Sequence, residues 1–75
     1  MNVKEFIVCY TLDHDIVTEK LIKEIDVKKE DVEQEVIEKL ERNKSINVKN
    51  GQGNYRINSS LVRYVRIVSE KILIK

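Results

Sequence analysis

Residues Lys28 to Asn43 (KKEDVEQEVIEKLERN) are the one stretch of this chain with a sustained helical period. The other apolar segments alternate or run short, so the sequence offers one helix and several strands that need something to pack against. Val32, Val36, Ile37 and Leu40 fall at i, i+4, i+5 and i+8, which is one face of a 3.6-residue repeat. Glu30, Gln34, Glu38 and Glu41 fall on the other face. Asp26 or Asp31 would cap the N-terminus by accepting from an unpaired backbone N–H. Acidic residues crowd the first half and Lys39 and Arg42 the end, as the helix dipole favours. Glu35–Lys39 and Glu38–Arg42 add i,i+4 pairs in the better orientation. A one-sided stripe on a helix about 24 Å long suits cover for one sheet face better than the centre of a bundle.

The remaining segments read in order. Asn2 to Leu12 is a strand with Phe6, Val8, Tyr10 and Leu12 on one face and Ile7 and Cys9 on the other, so its centre is expected to be covered on both faces. Asp13-His14-Asp15 marks a turn. Ile16 to Val27 fits a helix through Val17, Leu21 and Ile25, or a strand; the strand, returning on the first as a hairpin, is the favoured reading. Ser45 to Lys49 is a short strand, Asn50-Gly51 the strongest turn signal because both residues tolerate positive φ, and Tyr55 to Ile57 the return strand. Asn58-Ser59-Ser60 forms another turn. Leu61 to Ser69 is the last strand, apolar enough to be expected at a central or interfacial position. Ile72, Leu73 and Ile74 make the tail too apolar for a free terminus, so it should dock on the domain or pair with another chain. The expected fold is α+β: one amphipathic helix on a mostly antiparallel sheet, in the order β-β-α-β-β-β, as a single small domain over residues 1–75.

Composition supports strands. Ile and Val number ten each, while Ala, Pro and Trp are absent. The same bias, with ten Lys, fits an AT-rich coding sequence, as in a low-GC bacterium or its phages. One cysteine allows no internal disulfide and no thiolate cluster, and suits a reducing cytoplasm. The apolar run Phe6 to Cys9 is too short for a signal peptide, and nothing approaches a membrane span.

The frame of two strands, an acidic helix and then YRINSSLVRYVRIV resembles many small proteins of Firmicutes and their phages, in which an Ile-Asn pair, here Ile57-Asn58, precedes a final Ile/Val-rich strand. The resemblance implies a mobile-element origin and assigns no activity.

The most informative functional feature is charge. Residues 1–43 carry seven basic against twelve acidic residues, a net −5, and residues 44–75 carry seven against one, a net +6. The two halves could neutralise each other within the fold or across a dimer. Otherwise the basic set Lys49, Arg56, Arg63, Arg66 and Lys71, interleaved with Tyr55 and Tyr64, could grip phosphates and stack bases. Arg63 and Arg66, three apart in a strand, would face opposite sides. The acidic helix face could meet a basic partner surface, imitate a nucleic-acid backbone, or simply keep the chain in solution.

Other chemistry is thinly supported. Asp13, His14 and Asp15 are adjacent on a turn and lack a second histidine to complete a metal site. Cys9 lies mid-strand without a placed base, as a buried inert thiol would. Gly51-Gln52-Gly53 opens a strand, whereas a phosphate loop opens a helix. No catalytic, metal or cofactor residues emerge. The leading expectation is a small non-enzymatic protein-binding regulator or inhibitor that forms a homo-oligomer through Leu61, Val65, Ile67, Ile72 and Ile74. The alternative is a binder of nucleic acid or a nucleotide through Tyr55, Arg56, Arg63, Tyr64 and Arg66.

Overall fold

Phe6, Val8 and Tyr10 alternate along the first strand, β1 (Asn2–Thr11), and all three are fully buried. The computed structural model of the protein describes residues 2–74. β2 (Ile16–Glu24) returns antiparallel on β1 as a hairpin, which settles residues 16–24 as strand. α1 (Lys29–Arg42), β3 (Ser45–Asn50), β4 (Gly53–Asn58), a 3-10 turn at Ser59–Leu61 and β5 (Tyr64–Ile74) follow. β5 pairs antiparallel with the other edge of β1, giving a three-stranded sheet in the order β2-β1-β5. β3 and β4 form a separate two-stranded ribbon. The architecture is α+β with the expected element order.

One face of the three-stranded sheet carries the core. Val17 of β2, Val32 and Val36 of α1, and Ile46, Val48 and Ile57 of the ribbon close on Phe6, Val8 and Tyr10. Leu40, Val65 and Ile67 pack against this cluster from its margin. Ile37, at the edge of the helical stripe, stays 41% exposed. The ribbon's tip lies beside the start of β2, where the Asn50 side-chain amide donates to the Thr18 carbonyl at 2.8 Å. Helix and ribbon thus share the work of covering a sheet that either alone would leave partly wet.

Local details differ from the sequence reading in four places. The N-cap is Lys28, not Asp26, and Asp31 sits at the third helical position, where its carboxylate accepts from the Lys28 N–H at 3.3 Å. The ribbon turn does not use positive φ at Asn50 or Gly51. Gly53 alone is there, at φ 134°, while the Asn50 Oδ1 accepts from the Gln52 N–H at 2.8 Å. Leu61 lies in the 3-10 turn, which Asn58 fixes by accepting from the Ser60 N–H and hydroxyl. β5 is an edge strand, because β1, apolar on both faces, takes the middle.

β5 also contains a bulge. Val8 pairs with Ile67 and Ile7 with Ser69, so Val68 is left over. Beyond it the faces exchange: Ile72 and Ile74 fall opposite Lys4 and Asn2, on the helix side, instead of continuing the face they would share with Tyr64. The apolar tail does pair within the chain. Glu70 also lands on the inner side, 3.7 Å from Lys4, whose Nζ donates to the Val27 carbonyl at 2.8 Å.

Phe6→Ala should cost about 3–5 kcal/mol, the usual range for emptying a buried aromatic site. That is a large share of the roughly 5–15 kcal/mol that holds a small domain. Ile74→Ala, at a position 83% exposed, should stay within about 0.5 kcal/mol. Urea unfolding followed by circular dichroism separates the two, and equal effects would contradict the core described above.

Candidate functional site

Among the described residues, nothing packs on the second face of the three-stranded sheet. Strand alternation and register set its rows: Tyr64, Thr11 and Ile16; then Arg66, Cys9 and Thr18; then Ser69, Ile7 and Lys20. Lys71, Glu5 and Ile22, and finally Leu73, Val3 and Glu24, complete it. The central strand contributes Val3, Ile7, Cys9 and Thr11, with Glu5 its one charge. Glu5 is 3.8 Å from Lys20 and shares a row with Lys71, so its charge is compensated locally. The remaining charges stand on the two outer strands. Tyr64, Ile16 and Ile22 are 67%, 60% and 50% exposed. An apolar centre with a charged rim is how protein interfaces are commonly built.

The five candidate anion-binding residues are not gathered into one site. Arg56 is on the outward face of β4, where its Nε donates to the Ser45 Oγ at 3.3 Å. Tyr55, its strand neighbour, turns to the other side and is half-buried against the core. Arg63 precedes β5 and pairs with Asp13, so it is held at the β1–β2 turn. Tyr64 and Arg66, two apart in β5, do share the bare face. The candidate interface residues also divide. Leu61, Ile72 and Ile74 are exposed, whereas Val65 and Ile67 are half-buried and serve the chain's own core.

Neutralisation between the two charged halves is sparse. Among the described residues the ion pairs are Lys4–Glu70, Lys20–Glu5, Lys23–Glu35 and Arg63–Asp13. Lys44, Lys49, Arg56, Arg66 and Lys71 enter none of them. Asp13, His14 and Asp15 are exposed on their turn, and Cys9 is buried on the bare-face side. Among the described residues no three His, Cys, Asp or Glu side chains gather where they could hold a metal ion. No helix there is long and apolar enough to cross a membrane.

A buried polar pair was not anticipated. Glu19 is only 9% exposed, and its Oε1 accepts from the Tyr10 hydroxyl at 2.7 Å. Burial, and then the hydrogen bond to this carboxylate, push the Tyr10 hydroxyl well above the ordinary tyrosine range. Leu21, Lys23, Glu35, Val36 and Lys39 line a small cavity beside the pair, and Lys23 bridges to Glu35 at 2.8 Å. The signal was present in the alternation, since Glu19 falls between Val17 and Leu21 on the inward side of β2. The pair joins β1 to β2, and the Lys23–Glu35 bridge beside it ties the sheet to the helix.

No family model, curated protein or solved structure matches this chain.

Tyr10→Phe leaves a buried carboxylate without its donor and should cost about 1–3 kcal/mol. Adding Glu19→Leu should recover much of that loss, because both polar partners are then gone. The raised Tyr10 also fixes a pH sign. Below the ordinary tyrosine value of about 10 both states hold the proton and its stabilisation is complete. As pH rises past that value the unfolded chain ionises first, so stability falls. Thermal melts of the wild type and both variants between neutral and strongly alkaline pH test this, with the alkaline loss smaller in the two variants.

Proposed function

We propose that this chain is a small non-enzymatic protein-binding regulator that works as a homodimer through its bare sheet face. The observation that carries the reading is the half-exposed apolar surface of Tyr64, Ile16 and Ile22 around the Val3-Ile7-Cys9 strip. Exposed apolar patches of this kind mark interaction sites in soluble proteins. The occupant argued for is a second copy. With a two-fold axis parallel to the strands, β5 of one copy lies over β2 of the other. Tyr64 then stacks on Ile16 and Lys71 lies over Ile22, while the long charged side chains of the outer strands reach past the rim to water.

Three strands at sheet spacing give a footprint of about 14 Å by 33 Å. That is at the lower end for specific assemblies, so the dimer should be concentration dependent. Action in a reducing cytoplasm, and an origin in a low-GC bacterium or its phage, belong to the same reading and rest on composition. A second reading, an anion binder, is favoured by Lys44, Lys49, Arg56, Arg66 and Lys71, which enter no ion pair among the described residues.

Sedimentation velocity across micromolar concentrations tests the dimer. The wild type should shift from monomer to dimer, and Ile22→Glu with Tyr64→Glu should remain monomeric with an unchanged circular dichroism spectrum. A wild type that stays monomeric throughout would defeat the proposal. So would a dimer that survives these changes and is lost with Ile72→Lys and Ile74→Lys, which lie on the helix side of β5.

A further inference from the structure

The outward face of the β3–β4 ribbon belongs neither to the core nor to the bare sheet face. Ile46, Val48, Tyr55 and Ile57 point inward. Cross-strand pairing then sets Asn47 beside Arg56, Lys49 beside Asn54, and Ser45 beside Asn58 on the outside. Every one of these six side chains is of a type able to form hydrogen bonds, and none is acidic or apolar. No acidic residue occurs between Glu41 and Glu70, so the ribbon itself carries no carboxylate; Asp15 of the β1–β2 turn lies near its tip, with Asn50 and Gln52, on the side of Tyr55. A face that needed only to be wet would ordinarily mix both signs of charge.

We propose that this ribbon face binds duplex DNA by entering the major groove. The inference stands on a different surface from the dimer reading and does not require it. The shape is suitable, because a major groove about 12 Å wide admits a two-stranded antiparallel ribbon. Each strand has six residues, which spans about 20 Å. The chemistry is suitable as well. Arginine forks match guanine edges, asparagine amides match adenine edges, and lysines contact phosphates. Arg56 is prepared for such a role: Ser45 takes its Nε–H, and its terminal N–H groups remain for a ligand. Lys44, at the base of the ribbon, and Lys49, near its tip, enter no ion pair among the described residues. Asn50 is excluded from the reading surface, since it is engaged by Thr18 and Gln52.

Duplex is favoured over single strands by what this face lacks. Single-strand binders stack bases on exposed aromatic side chains. The ribbon's one aromatic, Tyr55, faces the core, and Tyr64 lies on another sheet.

Fluorescence anisotropy with a labelled duplex of about 20 base pairs, and with a single strand of equal length, tests the proposal from about 50 to 200 mM salt. Two ribbon lysines on phosphates, Lys44 and Lys49, predict a log–log salt slope of about −2, near 0.9 per phosphate neutralised. Lys49→Ala with Arg56→Ala should weaken duplex binding at least tenfold and bring the slope towards −1. Asn47→Ala should alter preference among duplex sequences with little change in slope. Ile22→Glu with Tyr64→Glu should leave the ribbon's contribution in place. The exposed ribbon variants are expected to keep the wild-type spectrum and melting temperature. Absence of duplex binding at low salt would overturn the proposal. So would tighter binding to the single strand, or binding unaffected by the ribbon variants. Loss of binding only in the bare-face variant would move the site to Arg66 and Lys71.

Discussion

The fold depends on β1 having partners on both edges while its two faces do different work. Phe6, Val8 and Tyr10 give one face to the core, and the helix and ribbon assemble over them. Ile7 and Cys9 give the other face to a surface on which none of the described residues packs. One helix and one ribbon assemble over a single face of the sheet, and among the described residues nothing is left to cover the other. The bare face keeps an apolar centre in Val3, Ile7 and Cys9.

Tyr10 shows how tightly the core side is specified. Its ring fills the cluster while its hydroxyl satisfies Glu19, a carboxylate that would otherwise be isolated beside the helix. Buried polar groups in contact with an apolar core are costly when mismatched, and they favour one register over its neighbours. A one-residue slip of β2 on β1 would turn Glu19 and Val17 outward together and bring Thr18 and Lys20 inward. The Tyr10–Glu19 bond and the Val17–Tyr10 pairing thus oppose the same error. The Lys23–Glu35 bridge ties the far half of β2 to the helix that covers it.

Much of this was legible in the residues. The helix emerged within a residue of its bounds, and the β1–β2 hairpin followed from alternation, because both signals are local. What failed was non-local. The edge position of β5 depends on which strand β1 chooses for its second neighbour, and the bulge at Val68 depends on registering β5 against β1. That one extra residue decides whether Ile72 or Leu73 joins the bare face, and no periodicity within β5 reveals it. The candidate site was less legible for the same reason. Tyr55 and Arg56 look like a unit in sequence, yet strand neighbours point to opposite sides. Tyr64 and Arg66 do share a face, as a spacing of two requires. Glu19 could have been found, since its inward parity between Val17 and Leu21 is a local fact.

The charge split acquires a physical meaning once the layers are known. Antiparallel pairing brings the start of β1 beside the end of β5, and there Lys4 meets Glu70 while Glu5 shares a row with Lys71. Arg63 reaches Asp13 at the opposite end of β1. These contacts join the halves at the sheet but leave the outward faces of α1 and the ribbon untouched, one acidic and one basic. With a net charge of +1, the far field of the molecule is weak, and beyond a Debye length of about 8–10 Å little of it remains. Attraction to a polyanion would then act only at close range and in one orientation, with the ribbon forward and the acidic helix face held away. A separated charge pattern of this sort gives up long-range capture and gains orientation.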